Sequence, residues 1–232
     1  MKMSLLFLLA VTSLMTFAAP TRGKLGANAI EFQTSNGYEM VEVEHIESSG
    51  VEYIDTKTVI KGDRISLEMD MLRDRSTAQY AVFMGCKQSG IGEFGINNNG
   101  AYYIQCKAYG QSVQLIDWNY WPSRCRIGIE VENGTLKMLV NGVVKNSKSV
   151  TAKDYQNTVW LFAGNGYPAN DGKFIGKAYG AKISIDGELV RDFQPVRLTN
   201  VQGKSEGAMY DKISKEIFRN QGSGSFVIGP DL

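Results

Sequence analysis

The chain has 232 residues, of which 43% are hydrophobic and 21% are charged, and its 25 Lys and Arg nearly balance its 24 Asp and Glu. These values fit one packed domain and exclude a disordered chain, which has few apolar residues and a high net charge. A formal net charge of +1 also lacks the basic excess that binds a phosphate backbone or an anionic membrane, so we expect no nucleic-acid partner.

The first eighteen residues have the pattern of an export signal. Lys2 supplies a positive start, the stretch from Ser4 to Phe17 is apolar, and Thr16 and Ala18 are small residues three and one before a cut. We therefore predict a signal peptide at residues 1–18 and a secreted protein, extracellular or periplasmic. The alternative is a membrane anchor, but ~14 apolar residues are fewer than the ~20 that cross a bilayer. No later stretch is long enough, so we expect no membrane span after cleavage.

Residues 19–38 read as a linker whose short apolar patch, Ala29 to Phe32, adds at most an edge strand, and the domain proper is expected at 39–232. Beyond the linker the hydrophobic pattern repeats every two residues, which indicates strands with one buried face. In one such strand the apolar residues Ile65, Leu67, Met69 and Met71 alternate with the polar residues Ser66, Glu68 and Asp70.

Tight reversals separate the later strands. Asn133-Gly134, Asn141-Gly142 and Asp186-Gly187 each lie between two alternating runs and supply the positive φ angles of a type I′ turn. A further reversal is expected within the stretch from Lys212 to Phe218. The sequence thus predicts an all-β fold of many short antiparallel strands, closed into a sandwich or barrel, with little helix.

Three cysteines, Cys86, Cys106 and Cys125, leave at least one thiol unpaired in a monomer. Their spacing matches no zinc site, and His45 is the single histidine. We expect the cysteines to be buried as small hydrophobic residues, with one disulfide bridge as the alternative that an oxidising compartment permits.

Three groups of runs resemble the laminin-G-like, concanavalin A-like sandwich domains of exported and virion-associated bacterial proteins. Together the three groups bracket residues 39–230. The first is His45 to Thr56 (HIESSGVEYIDT). The second is Trp160 to Asn165 with Gly176 to Gly187 and Val190 to Val196, and the third is Met209 to Asp211 with Phe218 and Gly222 to Phe226. The resemblance implies an antiparallel two-sheet jelly-roll sandwich with a concave outer face, where lectins and glucanases of this fold hold sugars. His45 stands where the family pattern has Tyr, so no role carries over to it.

The stretch from Glu68 to Arg73 resembles the E-x-D-x-x-E strand of laminarinase-type glycoside hydrolases, in which two carboxylates act as nucleophile and acid/base. Retaining hydrolysis needs two carboxyl groups ~5–5.5 Å apart. Here Leu72 or Arg73 takes the place of the acid/base, so Glu68 and Asp70 form an incomplete motif. We therefore expect no catalysis and treat the carboxylates as the polar face of a strand.

Two polar and aromatic clusters are candidate ligand sites. The first is Trp118, Asn119, Tyr120 and Trp121, where flat rings suit the apolar faces of sugars and the amide suits their hydroxyls. Its alternative role is to cap the core at the end of a strand. The second is Asn165, Tyr167, Asn170 and Asp171, in a loop that follows an apolar strand.

Asn165, Asn170 and Asp171 are also a weak Ca²⁺ candidate. Calcium takes six to eight oxygen ligands, and this set offers a single carboxylate, so we expect no metal or other cofactor. The alternative is that these residues form turns.

Together the patterns predict a secreted, non-catalytic module that binds a glycan or polysaccharide through the concave face and its rim loops. The rival predictions are a structural or adhesive extracellular protein with a protein partner, and a degenerate glycoside hydrolase.

Overall fold

A computed structural model of the chain describes residues 32–33, 37–74, 80–98, 103–116, 123–167 and 172–232. The predicted signal peptide, residues 1–18, lies outside these ranges. Within them every regular element is a strand. In chain order the strands are β1 (Phe32–Gln33), β2 (Tyr38–Glu42), β3 (Ile46–Ser49), β4 (Ile54–Val59), β5 (Ile65–Arg73), β6 (Ala81–Gln88), β7 (Gly92–Asn98), β8 (Tyr103–Ala108), β9 (Gln111–Ile116), β10 (Cys125–Glu132), β11 (Thr135–Val140), β12 (Val143–Ser149), β13 (Thr158–Leu161), β14 (Gly164–Asn165), β15 (Gly172–Lys173), β16 (Ile175–Ile185), β17 (Glu188–Asn200), β18 (Ser205–Asp211), β19 (Ile217–Arg219) and β20 (Val227–Ile228).

The strands form two sheets. The larger sheet has the order β1-β2-β17-β16-β5-β10-β11-β12, with β18 and β19 continuing from β17, and β3 and β20 from β16. The smaller sheet has the order β4-β13-β6-β7-β8-β9, and the short strands β14 and β15 pair with β6 in parallel. The other pairs among the described strands are antiparallel. The prediction of an all-β, antiparallel two-sheet sandwich of the jelly-roll kind is therefore confirmed.

The alternating strand β5 lies inside the larger sheet, between β16 and β10. Its apolar residues are buried, whereas Ser66, Glu68 and Asp70 are half-buried on the opposite face. The inner faces of the two sheets meet in one continuous core, to which the smaller sheet contributes side chains such as Phe94 and Ile96. The predicted orientation of β5 is confirmed, and it points its carboxylates away from the core.

The predicted hairpins are also confirmed. Asn133-Gly134 joins β10 to β11, Asn141-Gly142 joins β11 to β12, and Asp186-Gly187 joins β16 to β17. All six residues have positive φ, from 50° to 81°, as a type I′ turn requires. The reversal after Lys212 joins the antiparallel pair β18 and β19.

Two buried carboxylates hold corners of the sandwich, and both lie in runs that carry the family resemblance. Glu52 accepts hydrogen bonds from the backbone N–H of Ser49 at 2.8 Å and from the hydroxyl of Ser48 at 3.1 Å. Asp211 is fully buried and accepts hydrogen bonds from the backbone N–H of Asp192 and the hydroxyl of Ser214, both at 2.8 Å. In both runs the carboxylate therefore has a structural role.

The three cysteines are buried and carry free thiols, as expected for small hydrophobic residues. Cys106 in β8 lies 3.6 Å from the carbonyl oxygen of Gly128 in β10, so it packs between the sheets. Burial raises the pKa of Cys86 to about 12 and that of Cys125 to about 11.

Candidate functional site

A groove of about 390 Å³ lies on the outer face of the larger sheet, above β5, β16 and β17. Strand register builds it: Glu68 in β5 is paired with Lys182 in β16, which is paired with Asp192 in β17. One step along, Asp70 is paired with Gly180, whose missing side chain leaves space above the sheet. Its polar and charged lining residues are Glu44, Glu68, Asp70, Arg124, Arg126, Tyr179, Lys182, Asp192, Gln194 and Lys212.

Acidic and basic side chains balance in this groove, with four of each. Arg124 holds Asp70 with two hydrogen bonds, from Nε to Oδ1 at 2.9 Å and from Nη2 to Oδ2 at 2.8 Å. These bonds raise the pKa of Arg124. The neighbouring pairs are looser, with Arg126 3.9 Å from Glu68 and Lys182 4.0 Å from Asp192. The groove thus presents fixed donors and acceptors without a large net charge.

Tyr179 supplies the aromatic surface of the groove. The centre of its ring lies 3.9 Å from the guanidinium carbon of Arg124 and 5.4 Å from the centre of the His45 ring. Gln194 and Lys212 also line the groove, and their side chains make no hydrogen bond or ion pair with another described residue. These two groups are therefore available to a ligand, beside a ring held in place by Arg124.

The face continues beyond Glu68 into a second depression of about 220 Å³, lined in part by Ser66, Glu130 and Ser184. Ser66 is paired with Ser184 on one side and with Glu130 on the other. Ser66 and Glu68 are successive outward positions of β5, about 7 Å apart. The two depressions therefore lie in line along β5.

The incomplete glycosidase motif lies at this groove. Glu68 and Asp70 share the outer face with Leu72, which is half-buried. Arg73 points to the inner face and is only 6% exposed. Of the two positions at which the second glutamate of the family motif could fall, the outward one is thus occupied by leucine and the inward one by arginine.

The structure describes two of the predicted ligand residues, Asn165 and Tyr167. Trp118, Asn119, Tyr120, Trp121, Asn170 and Asp171 lie outside the described residues. Asn165 belongs to β14 beside the smaller sheet, and its amide donates to the hydroxyl of Thr158 at 3.0 Å. Tyr167 packs over Gly164, with the ammonium of Lys87 5.5 Å from its ring. Neither residue lines the groove on the larger sheet.

Sequence reasoning missed Tyr179, Gln194 and Lys212. Alternation along β17 places Gln194 outward, whereas Tyr179 lies at a register shift of β16 and Lys212 lies in the turn after β18. Their proximity to Glu68 and Asp70 depends on β17, β16 and β5 being neighbours in the sheet. The described part of the chain contains no group of three or more His, Cys, Asp or Glu side chains that could hold a metal ion. In the same ranges no helix is long and apolar enough to cross a membrane.

No family model and no curated protein matches the chain. Its fold does resemble solved structures. A Bacteroides ovatus protein that is provisionally described as carbohydrate binding superposes with a TM-score of 0.59 at 11% sequence identity, over 82% of this chain and 60% of that one. This chain therefore spans about three fifths of that neighbour, and at this identity the likeness shows the fold alone.

A heptameric SAP-like pentraxin of Limulus polyphemus is a more distant neighbour. It superposes with a TM-score of 0.42 at 5% identity, over 63% of this chain and 75% of that one. The sheets and the groove of the described residues themselves define the class of the protein, an antiparallel two-sheet β-sandwich with a polar groove across its larger sheet.

Proposed function

We propose that this chain is an exported, non-catalytic protein that binds a glycan in the groove on the outer face of the larger sheet. The observation that carries the proposal is the lining of that groove, where paired acids and bases and one tyrosine ring lie with an amide and an ammonium that have no partner among the described residues. The provisional description of the Bacteroides ovatus neighbour as carbohydrate binding agrees with it. The laminin-G-like, concanavalin A-like resemblance stays a prediction that agrees as well.

Sugar chemistry fits these groups. Each hydroxyl of a sugar both donates and accepts hydrogen bonds, so it pairs with carboxylates and with Arg or Lys alike. The apolar face of the ring suits contact with Tyr179. A neutral glycan is favoured, because the four acidic and four basic side chains leave no net charge to attract an ionic ligand.

The shape of the face favours a chain over a single sugar. The second depression at Ser66 and Ser184 continues the groove along β5, and from Ser66 to Asp70 the strand extends about 13 Å. We therefore infer that an internal segment of an oligosaccharide or polysaccharide lies along β5. Modest affinity is expected, since both depressions are open to solvent.

Export is the second part of the proposal and rests on the signal sequence at residues 1–18. N-terminal sequencing of the protein recovered outside the cytoplasm should give a start at or near Ala19. Recovery of exported protein that starts at Met1 would contradict cleavage and favour an anchor.

Glycan-array binding tests the groove. Gln194→Ala and Lys212→Ala remove the two polar groups that have no partner among the described residues, and we expect each to weaken binding of the array's best neutral ligand several-fold. Gln202→Ala and Lys204→Ala are matched controls, because both residues are exposed in the turn between β17 and β18 and do not line the groove. Equal binding by all four variants would place the ligand elsewhere.

A further inference from the structure

A second groove, of about 380 Å³, lies on the outer face of the smaller sheet. Glu93 lies in its lining and accepts from the ammonium of Lys107 at 2.7 Å and from the hydroxyl of Tyr80 at 3.3 Å. Lys87 approaches the same carboxylate to 3.6 Å. Two ammonium groups therefore face one carboxylate, so this groove carries surplus positive charge, unlike the balanced groove on the larger sheet.

Two buried carboxamides lie beside these charges. Gln105 lines the groove and is only 5% exposed, yet its side chain has no hydrogen-bond partner among the described residues. Asn97 is its partner across β7 and β8, so both side chains are on the same face of the sheet. Asn97 is 0% exposed, and within the described ranges both its amide nitrogen and its amide oxygen lack a partner.

Such groups are costly to leave unpaired. A buried amide without a hydrogen bond is destabilised relative to its hydrated state. Native structures contain few of them. Gln105 lines the groove and Asn97 lies next to it on the same face of the sheet, so the described residues leave a polar group at the groove that a ligand can pair. Water alone would satisfy the amides, but it would not account for the surplus ammonium beside them.

We propose that this groove is a second carbohydrate site, which takes a carboxylated sugar such as a uronic acid unit. The ligand carboxylate pairs with Lys107 and Lys87, which share Glu93 as their one carboxylate among the described residues. The hydroxyls of the sugar ring form hydrogen bonds with the amide of Gln105. The amide of Asn97 is paired either by Gln105 or by a water that bridges it to the sugar. The site lies on the opposite sheet from the proposed neutral-glycan groove and does not depend on it.

Matched ligands test the charge preference. The probes are an oligosaccharide of glucuronic acid and the same oligosaccharide after its carboxyl groups have been reduced to alcohols, each titrated into the full chain by calorimetry. We expect the acidic probe to bind at least tenfold more tightly, with an advantage that shrinks at high salt. Equal affinity for the two probes would overturn the proposal.

Gln105→Leu tests the site itself. The substitution keeps the volume and removes a buried amide that the described residues leave unpaired, so the melting temperature should stay equal or rise, while affinity for the acidic probe falls at least tenfold. Should the variant fold poorly, the more exposed Lys107→Gln decides the matter, with the same expected loss. Unchanged affinity in Lys107→Gln, or in a folded Gln105→Leu, would refute the site.

Lys212→Ala separates this site from the groove on the larger sheet. We expect it to leave binding of the acidic probe unchanged. If Lys212→Ala abolishes that binding and Gln105→Leu does not, the acidic probe occupies the larger-sheet groove, and the second site is wrong while the first proposal stands.

Discussion

Arg124 donates hydrogen bonds to both carboxylate oxygens of Asp70, and its guanidinium carbon lies 3.9 Å from the centre of the Tyr179 ring. Bidentate pairing fixes the plane of the guanidinium, and the guanidinium in turn fixes the ring. Asp70 is therefore a positioning residue, because it orients the cation that supports the aromatic surface of the groove.

This geometry predicts an absence of hydrolysis. Both oxygens of Asp70 accept hydrogen bonds from Arg124, and neither Leu72 nor Arg73 supplies the second glutamate that the family mechanism needs. The purified protein should release no reducing sugar from β-glucans and related polysaccharides. Release that is lost on Glu68→Gln would show that a catalytic pair exists.

Asp211 should make stability depend on pH. Burial by itself raises the pKa of this carboxyl, but hydrogen bonds from Asp192, Ser214 and Ile213 lower it further than burial raises it, so the folded pKa lies below the usual value. A depressed folded pKa means that the ionised carboxylate stabilises the fold above the unfolded pKa of ~3.9, and that this stability is lost as the pH falls through the lower folded value.

Asp211→Asn should therefore lower the free energy of unfolding by about 2 kcal/mol at pH 7, and by much less near pH 2. Urea denaturation at both values measures the difference. Asp211 pairs with Arg191, whose Nη1 lies 3.2 Å from Oδ2. Asp231→Asn is a matched control, because Asp231 also pairs with an arginine, Arg197, but is half-exposed, and such surface pairs contribute ~0–1 kcal/mol. An equal loss in both variants at pH 7 would contradict the role of Asp211.

The Asn141-Gly142 turn should resist β-branched substitution. Gly142 has a φ of +79°, and an added Cβ would meet no described atom within 4 Å, so a loss of stability on Gly142→Val isolates backbone strain. We expect a cost of about 1–2 kcal/mol. Ser147→Val adds the same side chain to the exposed strand β12 and should be near neutral. Thermal unfolding that does not distinguish the two would argue against a type I′ turn.

The three cysteines should be unreactive in the native protein. Burial raises the pKa of Cys86 to about 12 and of Cys125 to about 11, so almost no thiolate forms at pH 8, and buried sulfurs are also shielded from reagent. A disulfide-exchange dye should react slowly before denaturation and with three thiols afterwards. Only one reactive thiol after denaturation would reveal a bridge.

The sequence predicted the parts of this fold that depend on local chemistry. Alternation in β5 assigned Leu67 to the core and Glu68 to the outer face, and the Asn-Gly and Asp-Gly pairs located three hairpins. The groove could not be predicted in the same way, because Lys182 and Gln194 are far from Glu68 in sequence and reach it only through the order β17-β16-β5. Gln105 gave no signal either, since an unpaired amide is defined by its surroundings.

Calorimetry with the best neutral glycan and the Tyr179→Ala variant tests most directly whether a glycan binds at Tyr179 on the larger sheet. Tyr38→Ala is the matched control, because Tyr38 is also half-buried beneath an arginine, with Arg219 4.3 Å from its ring centre, but does not line the groove. We expect Tyr179→Ala to weaken binding about tenfold or more, equivalent to ~1.4 kcal/mol, and Tyr38→Ala to leave it unchanged. If a folded Tyr179→Ala binds the glycan as tightly as the unmodified chain, the groove on the larger sheet is not the binding site.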